Sequence, residues 1–217
     1  MLVGRNLPIW IYILIILWLG LTTYLTVFKT RTKVIADSIT YKMVDKDDEV
    51  LARKFLSKRY GEVEFITEAE SKLPYEDEYV KYSKYFVAER GGDVVGVIRV
   101  VNNSKVGLPV LNDSKIYENE MKKLEKSGIN KVAEIGNLAA IPGQNISKGL
   151  YKIVIKYCLK NKLVTVARID SGLLDKLLNR YWFLRFFVHQ IGDNVPYPGS
   201  ICVPIQIKFN SFMLLFI

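Results

Sequence analysis

Residues Lys84–Asn102 read KYFVAERGGDVVGVIRVVN, two β-branched and aromatic runs on either side of Arg90-Gly91-Gly92-Asp93. A pair of glycines accepts the backbone angles of a tight turn, so this stretch is committed to a β-hairpin. Upstream, Ile39–Val44 alternates as a short strand, and Asp45-Lys46-Asp47-Asp48 supplies N-cap residues for a helix through Leu51–Tyr60 that Gly61 ends. Glu62–Tyr79 is acidic, contains the breaker Pro74, and reads as a loop with at most a short helical turn.

Downstream of the hairpin, Gly107–Leu111 reads as a loop, Lys115–Gly128 as a short helix and Lys131–Ile141 as a strand, followed by the loop Pro142-Gly143-Gln144-Asn145. Ser147 is an N-cap candidate for a helix in which Leu150, Ile153, Val154, Tyr157 and Cys158 recur at helical spacing. Leu163–Asp170 is a further strand and Ser171–Phe183 a further helix. Trp182–Val195 and Ser200–Phe209 read as two closing strands around Pro196-Tyr197-Pro198-Gly199. This order defines an α/β domain on a mixed sheet.

The stretch Ile9–Phe28 carries no charge, and as a helix it is long enough to cross the roughly 30 Å hydrocarbon layer once. A signal peptide has a shorter apolar core and a small-residue cleavage pattern. Here Lys29-Thr30-Arg31-Thr32-Lys33 follows instead, so residues 1–33 read as a membrane anchor with a basic linker and residues 34–217 as the catalytic domain. Positive charge weighted to the C-terminal side of the span places that domain in the cytoplasm.

The net charge of +9 is spread among interleaved acids, which argues against a nucleic-acid partner. Cys158 and Cys202 have no CxxC or histidine company, so neither a disulfide framework nor a metal site is expected. The strand Lys131–Ile141 runs through Gly143-Gln144-Asn145-Ile146-Ser147-Lys148-Gly149 into a helix, gathering free backbone N–H groups where a phosphate can bind.

That loop resembles the cofactor loop Q/R-x-x-G-x-G/A of the GNAT superfamily, with Ser147 in place of the first glycine. A narrower resemblance, over roughly Tyr79–Lys208, is to the autoinducer (acyl-homoserine-lactone) synthases and N-acyl amino acid synthases. Their succession of aromatic strand, G-x-x-R strand, G-x-P loop and E-x-x-R-L/F-A is matched by YFVAER, Gly96-Val97-Ile98-Arg99, Gly107-Leu108-Pro109 and Glu134-Ile135-Gly136-Asn137-Leu138-Ala139. Asn137 stands where the pattern has arginine, and Lys81 where the autoinducer synthases carry an acid, with Asp77 and Glu78 the nearest acids before it.

The resemblance implies a GNAT-like twisted mixed sheet flanked by helices, here preceded by one transmembrane helix. It implies transfer of an acyl group from acyl-carrier protein or acyl-CoA to the amine of an amino acid or related small molecule, with no tightly bound cofactor. Glu134 would deprotonate the amine, Arg99 would position the acceptor or the carrier arm, and Tyr181 would protonate the leaving thiolate. Asn137, Leu138, Ala139, Ala140 and Ile141 on the strand, with Gln144, Ser147, Lys148 and Gly149 on the loop, would form the donor site. Backbone N–H groups of a bulge around Asn137–Ala140 would meet the oxyanion.

Blander readings stand beside these. Glu134 is also what a sheet-edge or ion-paired residue looks like, Arg99 what a snorkelling strand-end arginine looks like, Tyr181 what aromatic packing looks like, and His189 among Phe186, Phe187 and Val188 is a structural histidine. Acetyl transfer from acetyl-CoA, or a non-catalytic membrane-bound binding module, are the alternative functions.

Overall fold

The computed structural model describes residues 39–211 apart from 47, 143–144 and 198–199. The apolar stretch 9–28, Gln144 and the terminal residues 212–217 lie outside the described residues. No helix among the described residues is long and apolar enough to cross a membrane.

The hairpin forms as its sequence demands: β2 (Ser83–Arg90) and β3 (Asp93–Asn102) pair antiparallel around Gly91 and Gly92, both at positive φ. Strand β1 (Thr40–Met43) pairs with β2, and β4 (Val132–Ala140) lies antiparallel on the other side of β3. Strand β5 (Val164–Asp170) is parallel to β4 and β8 (Ser200–Ile207) antiparallel to β5. The short strands β6 (Val188–Gln190) and β7 (Val195–Tyr197) both pair with β8. The result is a mixed sheet in the order β1-β2-β3-β4-β5-β8-β6.

Helices cover both faces. Helix α1 (Glu49–Glu62), the short α2 (Glu68–Ser71) with its Thr67 capping box, α3 (Pro109–Asp113) and α4 (Glu118–Lys126) precede β4. Helix α5 (Ile146–Asn161) connects β4 to β5, and α6 (Ser171–Arg180), capped by Asp170 on the Leu173 N–H, follows β5. Alternation along β3 assigns the faces: Ile98 and Val100 pack with Ile146, Leu150 and Val154 of α5, whereas Val97 packs with Ala52 and Leu56 of α1 and Val101 with Leu108 and Val110 of the α3 region. Each fully buried aliphatic side chain in these layers contributes about 1.5–3 kcal/mol.

Three sequence expectations are corrected. Gly107–Leu111 is not all loop, because Pro109 sits at the first helical position and starts α3. Asn145, not Ser147, is the N-cap residue of α5, so Ser147 lies in the first turn. The run Trp182–Phe186 is a 3₁₀ turn rather than a closing strand, with Trp182 and Phe186 67% and 71% exposed. The free thiols Cys158 and Cys202 are both buried.

Two glycines hold α5 against the sheet. A Cβ on Gly96 would lie 2.5 Å from Ile146 Cγ2, and one on Gly149 would lie 2.1 Å from the Tyr41 ring. Gly149, read as part of a donor loop, is thus also the seat of a β1 aromatic. Glycine in a helix normally destabilises it by about 1 kcal/mol relative to alanine. Here the sign should reverse: Gly149→Ala is expected to destabilise by about 1–3 kcal/mol through overpacking, and Tyr41→Ala to relieve it. Urea denaturation of the two single variants and the double variant checks this; a stabilising Gly149→Ala would refute the packing account.

Candidate active site

Parallel pairing of β4 with β5 runs only from Val132/Val164 to Glu134/Val166, after which β5 continues along β8 and β4 is held by β3 alone. The strands therefore part beyond Glu134. A bulge follows: Val97 pairs with Ala139 and Arg99 with Gly136, so two residues, Asn137 and Leu138, stand opposite the single Ile98. Such a bulge bends its strand, and Asn137 takes the positive φ of 48° that asparagine tolerates better than most residues. The edge of β4 turned toward β5 is left without a partner strand over the stretch where an oxyanion site was expected.

The bulge is fixed by Arg99, which has no exposed surface. Its Nη1 and Nη2 donate to the two Asp77 oxygens at 2.6 and 2.7 Å, its Nε donates to Ser83 Oγ at 2.7 Å, and Nη1 also reaches Asn137 Oδ1 at 3.3 Å. The rings of Tyr75 and Tyr85 lie 5.7 Å from the guanidinium carbon. Asn137 Nδ2 donates to the Tyr60 hydroxyl at 3.0 Å, and burial pushes that phenol well above its usual range. Asparagine at 137 thus serves two partners, an acceptor for Arg99 and a donor for Tyr60.

Glu134 shares the Arg99 face of the sheet and is buried. Its Oε2 accepts from the Val110 N–H in the first turn of α3 at 2.7 Å, while Oε1 lies over Gly136. Burial raises the carboxyl to about 7, against the Val110 hydrogen bond and the charges of Arg168 and Arg99, which lower it, and with Asp113, which raises it. A carboxyl so poised is half ionised at neutral pH and can take a proton.

On the opposite face, a cavity of about 570 Å³ lies between α5 and α6. Ile135 of β4 and Ile169 of β5 both line it, so it meets the opening between the two strands. Ser147 and Lys148 at the start of α5 and Arg180 and Tyr181 at the end of α6 line it too, leaving Lys148 and Arg180 as its cations. Tyr181 therefore sits in the cavity and not beside Glu134. Leu138, Ala140 and Ile141 pack against the α5 layer, and Ala139 against the α1 layer. His189 lies 3.6 Å from Glu120, away from the opening, which fits a structural role.

A mixed sheet that parts at a buried carboxylate, with an apolar cavity behind the opening, is a GNAT-like fold. Residues 52–205 match the family of the N-acyl amino acid synthase FeeM, and the chain belongs to that family. It is an N-acyltransferase. Comparison with curated proteins found no match. Among solved structures, the N-acyl amino acid synthase FeeM from uncultured soil microbes is 17% identical, with a TM-score of 0.60 over 82% of this chain and 98% of its own. The CoA-dependent acyl-homoserine lactone synthase BjaI, with SAM and isopentyl-CoA, is 12% identical, with a TM-score of 0.59 over 82% and 87%. A GNAT-family acetyltransferase from Streptococcus pneumoniae is 7% identical, with a TM-score of 0.51 over 79% and 99%. These likenesses show a shared fold.

Tyr60, Tyr75 and Ser83 are not legible in the sequence, since an aromatic or a serine has no chemical signature until the fold places it, and Asp77 is there only a nearby acid. Asp77→Ala is expected to destabilise by about 3–5 kcal/mol, because it leaves Arg99 charged, buried and unpaired; chemical denaturation checks this, and a loss below about 1 kcal/mol would show that the pair is not what holds the bulge.

Glu134 gives a test with a definite sign. Its folded-state pKa, about 7, lies above the ordinary value of 4.5, so ionising it destabilises the native state increasingly from pH 4.5 to 7 and by a constant amount above. Glu134→Gln, which keeps an acceptor for Val110, should match the wild type in stability near pH 4 and exceed it at pH 8 by up to about 3 kcal/mol. Equal stability at both pH values would sink the raised pKa.

Proposed function

We propose that the protein transfers a medium or long acyl chain from a pantetheine thioester to the amine of an amino acid, by direct attack in a ternary complex. The observation that carries this is the cavity of about 570 Å³ behind the β4–β5 opening. An acetyl group needs no such space, whereas each methylene buried there contributes about 0.8 kcal/mol to donor binding. Acetyl transfer is accordingly the weaker reading.

In this scheme the thioester lies in the opening with its chain in the cavity. Glu134 Oε1 takes a proton from the acceptor ammonium, the amine attacks the carbonyl carbon, and the oxyanion is met by N–H groups on the unpaired edge of β4 around Asn137–Ala140. The C–S bond then breaks, the thiolate takes a proton from Tyr181 in the cavity, and the second proton, lost by the nitrogen as it becomes the amide, passes through solvent to restore Tyr181. Lys148 and the N-terminus of α5 hold the phosphate of an acyl-carrier-protein arm or of acyl-CoA. Arg99 acts as a positioning residue through the bulge. An N-acylated amino acid is amphipathic, and the uncharged stretch 9–28 supports a single-pass anchor (residues 1–33) with the catalytic domain, residues 34–217, at the cytoplasmic face.

The test is to incubate the full-length chain, purified in detergent, with decanoyl-acyl-carrier protein, decanoyl-CoA or acetyl-CoA and pooled amino acids, and to assay products by mass spectrometry. An N-decanoyl product is expected, at a rate that rises with pH through about 7 as Glu134 ionises and falls at least about a hundredfold in Glu134→Gln. Acetyl-CoA as the preferred donor would select the weaker reading; no thiol release from any donor would overturn both.

A further inference from the structure

Of the two guanidinium groups near Glu134, one is closed. Arg99 is enclosed by Asp77, Ser83, Asn137 and two tyrosine rings and offers nothing to a substrate. Arg168 differs. It lies on β5 two residues beyond Val166, the register partner of Glu134, and so shares a face with Val166 at the point where the strands part. Its guanidinium rests over the Tyr197 ring at 5.1 Å, which fixes its plane, and its one hydrogen bond among the described residues is from Nη1 to Asp113 Oδ2 at 3.1 Å. The Arg168 side chain is 16% exposed, and Asp113, at the end of α3, is 54% exposed.

The space over Gly136 is open. A Cβ placed on Gly136, the next β4 residue on the Glu134 face, would meet only Glu134 Oε1, at 3.8 Å. That oxygen accepts no hydrogen bond among the described residues, its partner Oε2 being taken by Val110. A notch floored by a glycine therefore has a proton-accepting oxygen on one strand and a planar, mostly unused guanidinium on the neighbouring strand.

We propose that Arg168 binds the carboxylate of the acceptor and, with Glu134, makes the site selective for amino acids that carry amine and carboxylate on adjacent atoms. The inference rests on the acyl-transfer reading above. A guanidinium fork matches a carboxylate through two parallel N–H bonds, which fixes the acceptor's orientation as well as its position. With the carboxylate held on β5, the α-amine is directed toward Glu134 Oε1 and the opening in which the thioester lies. Asp113, bonded to one nitrogen from an exposed position, keeps the fork aimed while the remaining N–H groups face the acceptor.

The experiment uses the full-length chain with decanoyl-acyl-carrier protein, and compares the best amino-acid acceptor with its primary amide, which has the same side chain and amine but no carboxylate. The wild type is expected to favour the free acid. Arg168→Gln should raise the acid's KM at least about tenfold, the loss of a charge-assisted pair, and leave KM for the amide and for the donor within about twofold. Arg168→Lys, which keeps the charge without the fork, should fall between and serves if Arg168→Gln does not fold. Equal use of acid and amide by the wild type would overturn the inference. So would an equal slowing of both by Arg168→Gln with the pH midpoint moved upward for each, since Arg168 would then act only through Glu134. A wild type that acylates no amine would instead defeat the acyl-transfer reading and this inference with it.

Discussion

A charged guanidinium shut away from water is stable only if all its surroundings answer it, and the cage around Arg99 imposes that condition on the centre of this sheet. Asp77 must come in from an irregular segment, Ser83 must start β2, and Asn137 must turn its side chain back toward the arginine. The last of these braces the bulge of β4, which lies just beyond the point where its pairing with β5 ends.

The same short motif serves both faces. Gly96 and Arg99 are three apart on one strand, so they point in opposite directions. Glycine lets α5 come down on one face, seating Ile146 against the sheet and bringing the first-turn residues Ser147 and Lys148 to the cavity; arginine gathers the other face around Glu134. In the proposed reaction, an acyl group on one side and an amine on the other meet through the opening between β4 and β5. Neither substrate has to enter through the other's site, which suits direct transfer in a ternary complex.

The hairpin, the order of strands and helices, and the positions of Glu134 and Arg99 were legible in the sequence, because β-branched runs, turn glycines and helical periodicity are local properties. The bulge was expected near Asn137 from a family pattern, and the register shift is found there. The partner of Arg99 was not legible: Asp77 is one acid among several in Glu62–Tyr79, and only the path of that segment brings it to the guanidinium. Trp182–Phe186 misled for a physical reason. Four large aromatic and aliphatic residues broken only by Arg185 satisfy a strand and a 3₁₀ turn equally, and tertiary packing chose the turn, with Phe183 and Leu184 lining the cavity and Trp182 and Phe186 outside it.

The poise of Glu134 ties these features to chemistry. An α-ammonium in water holds its proton far more tightly than an ordinary carboxylate, so a solvated glutamate at the usual value of 4.5 would be a poor base for it. Burial moves the two toward each other: it raises the carboxyl to about 7, and the same loss of solvation lowers the pKa of an ammonium brought alongside. In the proposed reaction, the gap that proton transfer must climb is thereby reduced before any bond to the thioester forms. Arg168 and Arg99 oppose the rise and keep it from going further, since a carboxyl raised well beyond 7 would stay protonated at neutral pH and could accept nothing. The arginine that braces the bulge is thus also one of the two charges that hold the Glu134 carboxyl near 7.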